Sequence, residues 1–150
     1  MPRYMMIVKA SKSYEAGQMP SAELIAEMGK YNEELMKAGV LLDLSGLQPT
    51  SRSARVKFSG GKTTVLDGPF AETKEVIGGY WLIKANSLQE AIEWARRALA
   101  PHGPHQDAEI EVRPLFEMED FQPSETVACA KKLGEQLAKK KGTKSSGWEL

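Results

Sequence analysis

Residues 54–85 read ARVKFSGGKTTVLDGPFAETKEVIGGYWLIKA, and they contain the clearest strand and turn signals of the chain. Two short runs of strand-forming residues flank Gly60-Gly61, which predicts a β-hairpin with a two-residue turn, formed by residues 54–59 and 62–66. In the last ten residues, 76–85, both the even-numbered and the odd-numbered positions are largely apolar. Because both faces of this strand are largely apolar, it is predicted to lie near the centre of a sheet.

Amphipathic helices are predicted on both sides of this stretch. Ser21 is a good N-cap, and six apolar residues recur after it at helical spacing: Leu24, Ile25, Met28, Tyr31, Leu35 and Met36. Ser87 and Glu90 form a capping box that opens a second helix. The apolar stripe of that helix consists of Leu88, Ala91, Ile92, Ala95 and Leu99. Each helix therefore has one face suited to packing on a sheet.

Three further strands complete the pattern, over residues 4–9, 40–47 and 110–114. The order is then strand, helix, strand, hairpin, strand, helix, strand. This order predicts an α+β domain, a ferredoxin-like split βαβ sandwich with one inserted β-hairpin. Two helices on one side of the sheet leave its other side uncovered, so we expect a homodimer in which a second copy covers it.

The C-terminal part has a different character. We expect a domain over residues 1–122, a helix over 123–141 and a disordered tail over 142–150. The first 122 residues carry 14 Lys+Arg against 17 Asp+Glu, whereas the rest carries six lysines against three glutamates. A basic tail could contact nucleic acid, but these lysines are not interleaved with aromatic residues, which disfavours that hypothesis.

The bulk composition is that of an ordinary globular protein. The chain has 150 residues, 41% of them hydrophobic and 27% charged, with a formal net charge of zero. Its single cysteine, Cys129, excludes an intrachain disulfide and favours a reducing compartment. The apolar run at residues 4–8 is too short for a signal-peptide core or a membrane span. We therefore expect a cytoplasmic protein that does not enter the membrane.

Several landmarks together resemble a known family. They are Asp67-Gly68-Pro69-Phe70 with Glu72, Lys74, Glu75 and Gly78-Gly79-Tyr80 after it, then Ala38–Leu41, Gly46–Pro49 and Glu111–Leu115. Their order over residues 3–120 is similar to that of the DGPF (YCII-related) proteins. The resemblance implies a dimeric α+β barrel type of fold. Related YCII proteins carry a proposed His–Asp pair, but the first helix here has no histidine. Some members are associated with sigma factors, which would imply a regulatory role.

The turn at Asp67-Gly68-Pro69-Phe70 admits two interpretations. In the structural one, the Asp67 carboxylate accepts N–H groups two or three residues on, the Gly68–Pro69 bond is a candidate for the cis form, and Phe70 anchors the turn in the core. In the functional one, Asp67 and the glutamates at 72 and 75 place carboxylates at the mouth of a pocket, with Lys74 as counter-charge. The structural interpretation is favoured.

Other polar residues are weighed in the same way. Asp43, in an otherwise apolar strand, lies either at a sheet edge or at a site. Gly78-Gly79 indicates a bulge or a close approach, for which dimer packing is the favoured explanation. Tyr80 and Trp81 point to opposite faces, and Tyr31 is expected in the core with its hydroxyl bonded. The histidines at 102 and 105, with Asp107, do not form a recognised metal signature, so no metal and no cofactor are expected.

These residues support two hypotheses about function. The first is a dimeric small-molecule-binding protein, which could be regulatory. The alternative is a cofactor-free enzyme in which Asp67 or Asp43 is the general base and Lys74 or Arg113 stabilises an anion. The expected ligand-binding residues are Gly68, Pro69, Phe70, Glu72, Lys74, Tyr80 and Arg113.

Overall fold

A computed structural model describes residues 1–71, 75–99 and 107–143. The chain divides into two compact units, Met1–Leu115 and Phe116–Leu150. The first unit contains, in chain order, β1 (Arg3–Lys9), α1 (Lys12–Glu15), α2 (Ala22–Lys37), β2 (Leu41–Gly46), β3 (Ala54–Ser59), β4 (Lys62–Asp67), β5 (Ile77–Lys84), α3 (Leu88–Leu99) and β6 (Ile110–Pro114); the second contains α4 (Glu125–Thr143).

Four strands form one antiparallel sheet in the order β2-β5-β1-β6. The prediction of a central strand over residues 76–85 is confirmed, because β5 pairs with β2 on one side and β1 on the other. The register places Met6 opposite Trp81 and Val112, and Met5 opposite Leu82 and Arg113. The α+β class predicted from the sequence is confirmed.

The core lies on the face of this sheet that packs against α2 and α3. Met6, Leu35 and Ile83 are fully buried there, and burying a side chain of this size contributes about 1.5–3 kcal/mol. In α2 the buried stripe is narrower than predicted, since Ile25 and Met36 are exposed. The core otherwise consists of Tyr4, Tyr31, Val40, Trp81, Ala85, Ala91, Ala95 and Ala98.

Two buried aromatic residues of the core have bonded polar groups. The Tyr31 hydroxyl donates to the Trp94 carbonyl oxygen at 2.8 Å, as predicted, and the Trp81 indole N–H donates to Asn32 Oδ1 at 2.8 Å. The rings of Tyr31 and Trp81 meet edge to face, with centroids 5.4 Å apart. Burial raises the pKa of the Tyr31 hydroxyl above its ordinary value, because the charged phenolate would lose its hydration.

The inserted hairpin forms a sheet of its own. Strands β3 and β4 pair in the predicted register, with Val56 opposite Val65, and Gly60 and Gly61 take the positive φ angles that the turn requires. All residues of both strands are exposed. The hairpin therefore adds little to the core.

The segment between β1 and α2 is not a plain loop. It contains the short helix α1, in which Ser11 Oγ accepts the Tyr14 N–H. Helix α2 begins as predicted, since Ser21 Oγ accepts the Leu24 N–H. A single turn of helix has no hydrophobic periodicity, so no apolar pattern could reveal α1.

The close approach predicted at Gly79 occurs within the chain. A Cβ atom at Gly79 would lie 2.8 Å from the Ser45 carbonyl oxygen of β2. The register of β1 against β5 shifts between Val8 and Lys9, beside Gly78. The predicted close approach and irregularity are confirmed within the chain, and dimer packing at this dipeptide stays a prediction.

The second unit holds the predicted C-terminal helix. Ser124 Oγ accepts the Val127 N–H at the start of α4, and Phe116 and Phe121 pack with centroids 5.3 Å apart. The Lys131 ammonium lies 3.5 Å from a Glu119 carboxylate oxygen. Residues 144–150 of the expected tail lie outside the described part of the chain. None of the helices in the described part is both long and apolar enough to cross a membrane.

Candidate functional site

The face of the four-stranded sheet opposite α2 and α3 carries a polar pair. We call it the Asp43 face; it consists of Met5, Ile7, Asp43, Ser45, Tyr80, Leu82, Glu111 and Arg113, which the strand register places opposite one another. The Tyr80 hydroxyl donates to Asp43 Oδ2 at 3.1 Å, and the Leu44 backbone N–H donates to Asp43 Oδ1 at 2.9 Å. Both side chains are half-buried.

The position of Asp43 follows from the strand arrangement. β2 is an edge strand of the sheet, as one of the two interpretations of Asp43 required. A register shift between Leu41 and Asp43 turns the Asp43 side chain to the side on which Tyr80 and Leu82 lie. Trp81 lies on the opposite face and is buried, so the predicted separation of Tyr80 from Trp81 is confirmed. The two oxygens of Asp43 each retain a lone pair for a further donor.

Arg113 lies on the same face but away from the pair. One row of paired residues crosses the four strands from edge to edge: Arg113, Met5, Leu82 and Asp43. Three strand spacings of about 4.8 Å separate the two ends of this row, about 14 Å in all. Arg113 is exposed at the other edge of the sheet, so it cannot form an ion pair with Asp43.

The turn at Asp67-Gly68-Pro69-Phe70 is fixed by Thr50. Thr50 is buried; its hydroxyl donates to Glu15 Oε2 and accepts the Phe70 N–H at 3.1 Å, and its own N–H donates to Glu15 Oε1 at 3.1 Å. The Gly68 N–H donates to the Ser53 carbonyl oxygen at 2.8 Å. A Cβ atom on Gly68 would lie 1.6 Å from the Thr50 carbonyl oxygen, so only glycine fits there.

The role predicted for Asp67 in this turn is wrong. Residue 69 is proline and has no N–H group, and the Phe70 N–H is donated to Thr50 instead. Asp67 is exposed at the end of β4, opposite Ala54. The Gly68–Pro69 bond is cis, as the sequence suggested. Phe70 is half-buried and does not belong to the core cluster, so the prediction that it anchors the turn in the core is also wrong.

A cleft of about 300 Å³ adjoins this turn. The Arg55 guanidinium lies 3.8 Å from the centroid of the Phe70 ring at its wall. The cleft is lined by Leu47, Gln48, Thr50, Ser53, Arg55, Phe70, Glu75, Val76 and Ile77. Of the residues singled out in the sequence, it contains Phe70 and Glu75.

Sequence reasoning missed Glu15, Thr50 and Arg55 as parts of this region. Glu15 and Thr50 are 35 positions apart and meet only because β1, α1 and β2 return to the same end of the sheet. No spacing rule predicts such a contact. Alternation along β3 puts the Arg55 side chain on the side of the strand opposite Ala54, and this is the one signal that could have identified it.

Some predicted residues cannot be placed. Glu72 and Lys74 lie outside the described residues, as do the histidines at 102 and 105. Asp107 is exposed. Within residues 1–71, 75–99 and 107–143, no group of three His, Cys, Asp or Glu residues has a metal-binding geometry. Cys129 is a free, exposed thiol on α4.

The fold and these two regions define a small α+β protein whose candidate groups are carboxylates, a phenol and a guanidinium rather than a metal-ligand set. The model of the YCII-related domain matches residues 2–119. The chain belongs to the YCII-related family. It is 41% identical over 108 residues to a protein of Rhizobium meliloti (strain 1021) described as uncharacterized protein R00369; the match covers 72% of this chain and 82% of that protein.

Proposed function

We propose that this chain is a homodimeric, small-molecule-binding protein whose ligand contacts Asp43 and Tyr80. The observation that carries the proposal is the 3.1 Å hydrogen bond between the Tyr80 hydroxyl and Asp43, on a sheet face that also has apolar side chains next to the pair. Met5, Ile7 and Leu82 lie beside this pair in the register. Apolar walls with a few convergent polar groups are the usual composition of a small-molecule site.

The strand order supports the finer assignment of the fold. The order β2-β5-β1-β6, with a helix after β1 and another after β5, is that of a ferredoxin-like sandwich into which the hairpin β3–β4 is inserted. In such a sandwich one side of the sheet has no helices of the motif. We propose that the Asp43 face meets the same face of a second copy, as in a dimeric α+β barrel.

A second candidate function is a cofactor-free enzyme, with Asp43 as general base. The specific observation in its favour is that Tyr80 can hold the Asp43 carboxylate in one orientation while a lone pair on each oxygen remains. Asp67 is a weaker candidate, because its exposed position provides no hydrogen-bonded partner among the residues that the turn brings together. A regulatory role would require ligand binding without turnover.

The ligand hypothesis is tested by a thermal-shift screen against a broad panel of small organic molecules. A ligand at about 100 times its Kd stabilises the folded state by about 2.7 kcal/mol. We expect such a shift to be lost in Asp43→Asn and reduced in Tyr80→Phe. Asp107→Asn, which alters an exposed carboxylate elsewhere, is the matched control. A ligand whose stabilisation survives Asp43→Asn would contradict the assignment of this site.

The dimer is tested separately by sedimentation velocity at micromolar concentration. We expect the wild-type chain to sediment as a dimer and Leu82→Arg to sediment as a monomer, because a charge in the middle of the Asp43 face would be desolvated on association. Ile25→Arg, on the exposed side of α2, should leave the dimer intact. A monomeric wild type would refute this part of the proposal.

A further inference from the structure

We propose that the cleft beside Phe70 is a second, independent site, which binds a small monocarboxylate with an apolar or aromatic body through Arg55. None of the residues that line this cleft belongs to the Asp43 face. The inference therefore stands or fails separately from the ligand proposed for Asp43 and Tyr80.

Arg55 is held for recognition of an anion by its ring contact. Its guanidinium lies 3.8 Å from the Phe70 ring centroid, a distance typical of a cation–π contact. The guanidinium is planar, and two of its N–H groups match the oxygens of a carboxylate; the ring contact restricts the orientation of this plane. Among the described residues, no ion pair or hydrogen bond occupies the Arg55 side chain.

The other walls of the cleft favour a ligand with an apolar body. Leu47, Val76 and Ile77 contribute aliphatic surface, in a space of about 300 Å³. Small-molecule sites are commonly of this size, with mainly apolar walls and a few polar groups that fix orientation. A bare inorganic anion would leave the aliphatic walls without a partner.

The geometry of the Arg55 guanidinium favours a single carboxylate on the ligand. Arg55 and Glu75 both line the cleft, so their formal charges cancel, and the attraction to Arg55 and the repulsion from Glu75 both grow with the charge of the ligand. Selectivity for a monocarboxylate therefore rests on the two parallel N–H donors of Arg55, which one carboxylate satisfies. Arg52 Nη1 donates to Gln48 Oε1 at 3.2 Å, which directs the Gln48 amide so that its NH₂ group remains a donor.

The Thr50 network makes this cleft preorganised. Because Thr50 binds both Glu15 and the Phe70 N–H, the Phe70 ring has a fixed support beneath Arg55. Gly68 is fixed in turn by the Ser53 carbonyl oxygen. A site whose walls are already ordered loses less conformational entropy when the ligand binds. The turn thus acts as the structural support of a binding surface, and Asp67 has no part in it.

The test is a ¹H–¹⁵N NMR titration of the full chain with benzoate, with benzamide as the neutral control. We expect saturable shifts of the Arg55 and Phe70 backbone amides with benzoate, and binding of benzamide and of acetate that is weaker by about tenfold or more. Arg55→Met should weaken benzoate binding by about tenfold or more. Lys57→Met removes an equally exposed charge from the same strand, outside the cleft lining, and should leave the affinity unchanged within about twofold.

Three outcomes would overturn the site. Benzoate could give no saturable shift at these amides, benzamide or acetate could bind as well as benzoate, or Arg55→Met could bind as tightly as Lys57→Met. Shifts confined to Tyr80 and its neighbours would also refute it while supporting a site on the Asp43 face. Because Arg55 and Lys57 are exposed, the spectra of the unliganded variants should match that of the wild type away from the substituted residue and its contacts. Phe70→Leu, which replaces the aromatic ring, is the second test and should weaken benzoate binding as Arg55→Met does.

Discussion

The candidate residues lie in two regions: the turn that contains Gly68 and is fixed by Thr50, and the Asp43 face. These two regions are built in different ways. In the turn, backbone segments approach closely, and the buried Thr50 hydroxyl is bonded on both sides. On the Asp43 face, two half-buried side chains bond to each other across strands and keep partial exposure. We therefore expect substitutions in the turn to affect folding, whereas the pair keeps partial exposure within one chain.

This difference separates residues that look alike in the sequence. Asp67 and Asp43 are both aspartates next to apolar segments, yet the first is exposed at a strand end and the second is bonded to a tyrosine. If the comparison is right, substitutions in the turn should cost much stability, and those in the pair should cost little. This contrast predicts effects on the free energy of unfolding that are greatest for residues of the turn.

Gly68→Ala should have the largest effect. The new Cβ would lie 1.6 Å from the Thr50 carbonyl oxygen, so the backbone itself must move, and we expect a loss of at least about 3 kcal/mol in the free energy of unfolding. Gly78→Ala is the matched control, since its Cβ would meet Ala10 at 3.5 Å, an ordinary contact, and should change stability by less than about 1 kcal/mol. Urea denaturation measures both, and equal effects would remove the distinction between turn and sheet.

Thr50→Val should have the next largest effect. Valine keeps the shape of threonine but leaves a Glu15 carboxylate oxygen and the Phe70 N–H without their partner, which costs about 1–3 kcal/mol. Thr50→Ser keeps the hydroxyl and removes one methyl group, worth about 0.8 kcal/mol. The expected order by urea denaturation is wild type, then Ser, then Val; a valine variant as stable as the serine variant would show that the hydroxyl network is not what fixes the turn.

The sequence predicted most of the sheet because its strands are marked locally. The apolar run at 76–85, the hairpin turn at Gly60-Gly61 and the caps at Ser21 and Ser87 each contain their own signal within a few residues. The strand order then follows from few possibilities, since connections are short. What local pattern could not predict was the single turn α1, which is too short to have a period.

The candidate sites were predicted less well because they depend on contacts between distant residues. Asp43 and Tyr80 are 37 positions apart, and Glu15 and Thr50 are 35 apart. Alternation along a strand tells which side a residue faces, but not which residue of another strand lies beside it. For Asp67 the local rule was misleading: aspartate often accepts N–H groups in turns, but here a distant threonine had taken that position.

Tyr31 on α2 and Tyr80 on β5 should respond differently to alkaline pH. Burial raises the pKa of Tyr31, so above pH 10 the unfolded chain releases this proton and the folded chain retains it. Stability should therefore fall as pH rises above 10, by up to about 1.4 kcal/mol per pH unit for this group. Urea denaturation at each pH measures the free energy of unfolding. Between pH 9 and 11, Tyr31→Phe should lose about 1 kcal/mol less of it than Tyr80→Phe loses. Equal alkaline losses in the two variants would contradict this.

The smallest effect should come from the Asp43–Tyr80 pair itself. Asp43 accepts two donors, the Tyr80 hydroxyl and the Leu44 N–H, and Asn in its place can accept with one oxygen only, so at most one of these bonds is lost. Because both side chains are half-buried, water can replace the missing partner, and a double-mutant cycle of Asp43→Asn with Tyr80→Phe should give a coupling of about 0.5 kcal/mol. A coupling of 2 kcal/mol or more, roughly that of a buried network, would mean that this pair also supports the fold. The turn and the Asp43 face would then differ in where they lie, but not in their contribution to stability.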